Sequence, residues 1–298
     1  MLPDANDGRK AHTDLNFPNP IAFRRRLRSN PLMPDIRHLY EVITRQPTGS
    51  PHETPLLFVH GAWHAAWCWD EHFLAYFAAQ GYAAHALSLR GHGASWGTTR
   101  FAGIDEYVAD VALVARSLPA PPVLIGHSMG GFVIQKYAER FGARALVLLA
   151  SVPHAGALRT ILRVIARQPL DALRSVASLN TRPFVDTPAK ARRHLYGAAM
   201  PEAQLAAFAA RVSDESALWL LEIAGLSLPD VERVRVPVLA LGGAEDTLFP
   251  PAMIQATGAA YGGETFILPN MGHNIMLEPG WMDAADIIIR WLRMHKIV

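Results

Sequence analysis

Ser128 lies within Gly126-His127-Ser128-Met129-Gly130, a G-x-S-x-G run set in the stretch "VLIGHSMGGF". A serine hydroxyl is a weak nucleophile at neutral pH. Chemistry here therefore needs a base to take its proton, an acid to orient that base, and donors for the oxyanion that forms. A strand turning sharply into a helix strains its central residue and leaves no room for side chains two positions away, which accounts for Gly126 and Gly130. The helix that follows aims its first N–H groups at the place where negative charge develops. A phosphate loop does not fit: Lys136 is too far along for G-x-x-x-x-G-K-[ST], and the glycines at 126, 130 and 131 miss G-x-G-x-x-G.

The base and acid should follow in the order serine, acid, histidine, each in a loop beyond a later strand. "VPVLALGGAEDTLFPP" ends its strand at Gly242-Gly243 and presents Asp246, while "ETFILPNMGHNIMLEP" presents His273 after Gly272. Glu245 is the nearest rival acid. Glu278 lies beyond the histidine and suits the lead into a helix. The candidate catalytic set is Ser128, Asp246 and His273.

These residues must be carried on alternating elements. "HLYEVIT" (38–44) and "PLLFVHG" (55–61) read as neighbouring strands, "AWCWDEHFLAYFAAQG" as one amphipathic helix stopped by Gly81, and "YAAHALSLRG" as a further strand. "IDEYVADVALVARSL", "PPVLIG", "FVIQKYAERFG" and "ALVLLAS" continue the alternation as helix, strand, helix and strand. No glycine occurs from Ala157 to Tyr196, and no strand-like run returns until "VPVLALGG" at 236–243. A helix near "PPAMIQATGAAYG", the strand "ETFILP" and a closing helix "MDAADIIIRWLRMHK" complete the chain. The expected fold class is α/β: a mostly parallel, doubly wound sheet with an inserted helical cap. The expected division is a weakly ordered arm at 1–36, a core at 37–152 and 230–298, and the cap at 153–229.

The chain has 298 residues, half of them hydrophobic, enough for one large core. With 28 Lys and Arg against 26 Asp and Glu, the net charge of +2 gives no reason to expect nucleic acid as a partner. A single cysteine, Cys68, excludes an internal disulfide and reads as a packing residue. "FRRRLR" at 23–28 is not followed by the apolar run of an export signal, and no segment has the length of a membrane span, so the expected compartment is the cytoplasm.

Taken with this framework, the Ser128, Asp246 and His273 motifs resemble the α/β-hydrolase fold family over residues 37–298, the cap region matching least. The resemblance assigns Ser128 as nucleophile, His273 as base and Asp246 as acid. It also implies a His-Gly oxyanion loop, which "VHGAWHAAWCW" supplies at His60-Gly61, with the backbone N–H groups of Ala62 and Met129 as the oxyanion donors and His60 as a buttress. One departure stands out: "LSLRGHGAS" carries Ser88 where many cap-bearing members have aspartate, which puts the bracing of that loop in doubt. "HGAWHAAWCW" is similar to plant methylesterases and hydroxynitrile lyases, "LRGHGAS" and "GHNIMLEP" to bacterial esterases and lysophospholipase-like proteins.

Several features weigh less. Trp63 and Trp67 are candidate walls of an acyl or alcohol pocket, with His127 beside the nucleophile as a third substrate-contacting candidate; burial in the core is the competing role for the tryptophans. His60 and His64 stand four apart without the glutamate of HExxH, so neither a metal site nor a cofactor is expected. Arg159, Arg163 and Arg167 lie four apart opposite Leu158, Ile161, Leu162 and Ile165; the expectation is a solvated basic face over a buried stripe, and anionic lipid or an acidic substrate is the alternative.

The resulting expectation is a serine hydrolase acting on a small or medium, largely apolar carboxylic ester through an acyl-enzyme, without cofactor, the homodimer being an admissible assembly. Thioester hydrolysis, C–C hydrolysis, hydroxynitrile lysis and cofactor-free perhydrolysis could use the same residues. A low-turnover ligand receptor is the alternative of another class.

Overall fold

A computed structural model describes residues 38–298; the arm expected at 1–36 lies outside the described residues. Seven strands form one sheet: β1 (Val42–Arg45), β2 (Leu56–Val59), β3 (Ala84–Leu87), β4 (Val123–His127), β5 (Ala145–Leu149), β6 (Val238–Gly243) and β7 (Glu264–Leu268). Their order is β1-β3-β2-β4-β5-β6-β7. β1 pairs antiparallel with β3, through Val42 opposite Leu87, and every other pairing is parallel.

The sequence of the strands explains their places. β2, β3, β4, β5 and β6 are buried along their whole length, as strands covered on both faces must be, whereas the edge strands β1 and β7 are partly open. Successive side chains point to opposite faces, so Leu56 and Phe58 enter one core and Leu57 and Val59 the other. The first core is filled by Trp69 and Phe73 of two short helices, α1 (Trp67–Asp70) and α2 (Phe73–Ala79), and by Ile288 and Trp291 of α11 (Trp281–Met294). The second is filled by Tyr107 and Val111 of α3 (Ile104–Ser117), Phe132 and Val133 of α4 (Met129–Phe141) and Ile254 of α10 (Pro251–Ala260).

Two expectations shift in detail. The single helix read over "AWCWDEHFLAYFAAQG" is broken between Asp70 and Phe73, where His72 leaves helical geometry at φ −142°. The helix after the serine begins at Met129, three residues earlier than its apolar pattern suggests, because the turn itself supplies its first residues.

Between β5 and β6 the chain forms α5 (Leu158–Arg167), α6 (Pro169–Ser178), α7 (Pro188–Leu195), α8 (Glu202–Ala209) and α9 (Leu218–Leu221). Pro169 and Pro188 open their helices at the first position, where the missing N–H costs nothing. α9 runs into a wider turn over Glu222–Leu226 that breaks at Gly225, whose φ of 138° suits glycine alone. This insertion is tied to the core by a buried cluster: Glu215 accepts from the Tyr107 hydroxyl at 2.7 Å and pairs with His92 at 3.1 Å, both side chains of that pair having no exposed surface. Burial alone would lower the His92 pKa, but the Glu215 charge and hydrogen bond outweigh it and the pKa is raised.

Candidate active site

Ser128 occupies the junction of β4 and α4 with φ 52° and ψ −117°, a left-handed-side conformation that a residue with a β-carbon holds only when its surroundings impose it. Backbone hydrogen bonds impose it from three sides. The Ser128 N–H donates to Leu149 O at 3.1 Å, and its carbonyl accepts from Phe132 N at 3.2 Å and Val152 N at 3.1 Å. The glycines supply clearance: a β-carbon on Gly126 would stand 2.5 Å from the Gly130 carbonyl, and one on Gly130 would strike the carbonyls of Val59 and His60. The start of α4 at Gly130 is thus pressed against the end of β2.

His273 and Asp246 arrive from the loops after β7 and β6. His273 Nδ1 lies 2.8 Å from Asp246 Oδ2. A carboxylate only accepts, so Nδ1 carries a proton, and in the neutral ring the lone pair is then on Nε2. Nε2 is buried and has no hydrogen-bond partner among the described residues. The second Asp246 oxygen accepts from the N–H groups of Leu248 at 2.8 Å and Phe249 at 2.9 Å, which fixes the carboxylate in place. Glu245 turns away from this pair and accepts from Ala198 N at 2.7 Å. His127, immediately before Ser128, reaches across to the His273 carbonyl through Nε2 at 3.0 Å, joining the serine turn to the histidine loop. Burial, and then the neighbouring His273 and His64, hold the His127 pKa well below its ordinary value, so its ring is neutral and Nε2–H donates.

The loop after β2 is shaped by two histidines. His60 Nε2 accepts from Leu89 N at 3.0 Å, so Nδ1 is the donor to the Gly61 carbonyl at 2.8 Å. In a trans peptide the carbonyl and the next N–H point in opposite directions, so fixing the Gly61 oxygen also fixes the direction of the Ala62 N–H. His64 does the same one residue on: its Nδ1 holds the Ala62 carbonyl at 2.8 Å while Nε2 accepts from Asn274 Nδ2 at 3.1 Å. Burial pushes the His64 pKa down to about 4, in keeping with a neutral ring that donates at one nitrogen and accepts at the other. A β-carbon on Gly61 would lie 2.9 Å from Ser128 Cβ, so this loop abuts the Ser128 turn. Met129, the first residue of α4, has an N–H that no intrahelical carbonyl can use.

Ser128 opens into a cavity of about 420 Å³ whose remaining walls come almost wholly from the insertion, including Ile161, Val164, Phe184 and Trp219, with Leu248 and Phe249 from the loop carrying Asp246. Phe249 also stands edge-on to His273, ring centres 5.5 Å apart. Of the three candidate substrate contacts, Trp63 lines this cavity; Trp67 and His127 are not among the lining residues. Trp67 is instead covered by Arg211, whose guanidinium lies 3.9 Å from the ring centre, and by Phe208. Trp63 has φ 65° and is pinned to the insertion through Nε1 to Thr181 Oγ1 at 3.0 Å and its carbonyl to Ser213 N at 2.9 Å.

The roles of three supporting groups were missed in the sequence. His64 and Asn274 shape the loop after β2, and the one available signal was the adjacency of Asn274 to His273. Glu278 does stand ahead of α11, its carbonyl accepting from Trp281 N at 3.0 Å, but its side chain serves elsewhere: Oε1 accepts from Gly197 N at 2.7 Å and Gly272 N at 3.1 Å, clamping the insertion to the residue before His273. Burial raises its pKa against the lowering by these two amides. The Ser88 departure is compensated, because Ser88 Oγ accepts from Ala66 N at 2.9 Å and donates to Glu41, a carboxylate brought by the residue before β1. Among the described residues no three His, Cys, Asp or Glu side chains converge as metal ligands, and no helix is long and apolar enough to cross a membrane.

A family model described as "Alpha/beta hydrolase family" matches residues 56–285. The chain belongs to that family. The probable esterase PIR7A of Oryza sativa subsp. indica is 38% identical over 106 residues, which are 34% of this chain and 40% of that protein, so the match spans about two fifths of the relative's length. The monoacylglycerol lipase of Mycolicibacterium smegmatis is 26% identical over 282 residues, 87% of this chain and 94% of that one. Among solved structures, the putative non-heme bromoperoxidase BpoC from Mycobacterium tuberculosis H37Rv superimposes with a TM-score of 0.65 at 21% identity, over 87% of this hydrolase-family chain and 94% of its own. The α/β class, the mostly parallel sheet and the family resemblance read from the motifs are thereby established.

Proposed function

We propose that this chain is a serine hydrolase that cleaves carboxylic esters with an apolar acyl group through a Ser128-His273-Asp246 triad. The observation that carries the reading is the state of His273: its Nδ1 proton is fixed on Asp246, its Nε2 lone pair is unused, and its carbonyl is tied to the residue before Ser128. Ser128 Oγ attacks the ester carbonyl as His273 Nε2 takes its proton. Asp246 holds the imidazole and stabilises the imidazolium. The amides of Ala62 and Met129 receive the tetrahedral oxyanion, each donor contributing about 3 to 4 kcal/mol in comparable enzymes. Collapse expels the alcohol, which takes its proton from His273; water then attacks the acyl-enzyme by the same route and releases the acid.

The β5–β6 insertion serves as the cap of this enzyme and selects the acyl group. Trp63 belongs to the acyl wall, whereas Trp67 and His127 act through position, Trp67 by seating Arg211 and Phe208 and His127 by joining Ser128 to His273. The walls offer the acyl group apolar contacts and few hydrogen-bonding partners, which favours an aliphatic chain over a polar one. The relatives described as esterases and as a monoacylglycerol lipase support ester cleavage. The test is a panel of p-nitrophenyl acyl esters of graded chain length, run on wild type and Ser128→Ala. Cleavage by wild type alone, peaking at a medium chain, is expected; cleavage of none above the mutant background would favour the receptor or a non-ester reaction.

A further inference from the structure

Of the four residues in the apolar stripe of α5, Ile161 is partly buried against the core and the other three are exposed. Leu158 is 50% exposed, Leu162 57% and Ile165 40%, while on α6 Leu170, Leu173 and Val176 are each about two thirds exposed or more. The expectation of a solvated basic face over a buried stripe is therefore corrected: within α5 only Thr160 is fully buried. Ten of the seventeen exposed large hydrophobic residues among those described fall between Leu158 and Leu228, which concentrates the exposed apolar surface in the insertion. Leu158, Ile165, Val176, Leu218 and Leu221 are exposed and also line the cavity above Ser128, so the region surrounds the cavity mouth.

Charge selects the occupant. Residues 158–178 carry four arginines against one aspartate. Arg174 is paired with Asp171 and Asp186, and Arg163 donates to the carbonyls of Thr247 and Leu248. Arg159 and Arg167 are exposed and make no ion pair among the described residues. A second copy of this face would bring the same positive sign, and residues 1–37 bring seven Lys and Arg against four Asp and Glu. An apolar face with unpaired arginines at its edge complements an interface that is apolar within and anionic at its surface. The geometry points to the α5–α6 face as a docking surface for an anionic phospholipid bilayer, with Leu170, Leu173 and Val176 entering the acyl region and Arg159 and Arg167 meeting the phosphates. Docked in this way, the cavity mouth opens into the lipid, and a water-insoluble ester reaches Ser128 without crossing water. This use of the surface rests on the ester-hydrolase reading, but the docking can be measured without it.

The experiment is vesicle co-sedimentation of full-length Ser128→Ala protein, with phosphatidylcholine alone and with phosphatidylcholine containing phosphatidylglycerol. Binding to the anionic vesicles alone, weakening with salt, is expected. Leu170→Ser with Leu173→Ser, and separately Arg159→Glu with Arg167→Glu, should each reduce that binding on the order of tenfold or more. None of these four side chains lines the cavity. The same substitutions in the wild-type background should leave hydrolysis of soluble p-nitrophenyl butyrate within about twofold, which separates failed docking from failed catalysis and from misfolding. No binding to anionic vesicles would overturn the proposal, as would equal binding to neutral ones. So would loss of binding on reversing Arg24, Arg25 and Arg26 with the α5–α6 variants unaffected, or a solution dimer that the leucine variants dissociate without any change at vesicles.

Discussion

The floor and the roof of the cavity are built on opposite principles. The floor comes from four loops at the ends of β2, β4, β6 and β7, and its polar groups hold one another: His60 on Gly61, His64 on Ala62 and Asn274, His127 on His273, His273 on Asp246. The roof comes from the β5–β6 insertion and presents leucine, isoleucine and valine to both the cavity and the outside. Hydrogen bonds are directional and fix atoms, as a reaction requires. Apolar contacts are not directional and tolerate change, as a surface that selects by size and solubility requires. Chemistry should therefore fail abruptly when the floor is altered, and preference should drift when the roof is altered.

The largest effect belongs to Ser128→Ala, expected to lower kcat for p-nitrophenyl esters by about 10⁵ to 10⁶ with the fold intact by circular dichroism. Asp246→Asn follows: an amide can present its NH₂ to Nδ1 and favour the wrong tautomer, and about 10⁴ in kcat should go with KM little moved. Placing a side chain at Gly130 tests the turn itself. Gly130→Ala drives a methyl into the carbonyls of Val59 and His60, and should cost activity at least 10²-fold together with thermal stability.

The same contrast separates what could be read in the sequence from what could not. The positions of Gly126, Ser128 and Gly130 in a tight turn, and of Asp246 and His273 in loops after strands, were legible because each answers a local demand: a steric one at the turn, a proposed chemical one in the loops. The sheet was legible because strands buried on both faces must be nearly all apolar. His64 and Asn274 were not, since their roles depend on the chain folding back across a separation of 210 positions to place them 3.1 Å apart. The clamp made by the Glu278 side chain was not legible because a carboxylate near a helix start looks the same whether it caps the helix or holds Gly197. The α5 stripe was misread for a deeper reason: amphipathic periodicity reports that a helix has an apolar face, not that anything covers it.

Smaller effects probe how floor and roof are joined. His92 and His64 should answer pH in opposite senses. The raised His92 pKa means its pairing with Glu215 contributes stability fully below about pH 6.5, and loses it as pH rises through the folded-state value. The His64 pKa of about 4 means a contribution that is full above about pH 6.5 and falls away as pH drops from there toward 4. Tm measured from pH 8 to 4.5 should decline at the acid end, and the decline should shrink in His64→Gln relative to its own value at neutral pH. Glu215→Ala leaves Tyr107 and His92 without their buried partner and should cost about 3 to 5 kcal/mol in denaturant unfolding. Least disruptive is Val164→Phe, which reduces free volume in the roof; the optimum acyl chain should shorten, with kcat/KM for butyrate within a few-fold of wild type.

Ser128 is the proposed site of acylation by substrate, and covalent labelling reads that site out. Wild-type protein treated with an alkyl fluorophosphonate and digested should yield one phosphonylated peptide, modified at Ser128, in proportion to the loss of ester hydrolysis. An adduct at another residue, or full hydrolysis in protein whose Ser128 is labelled, would contradict it.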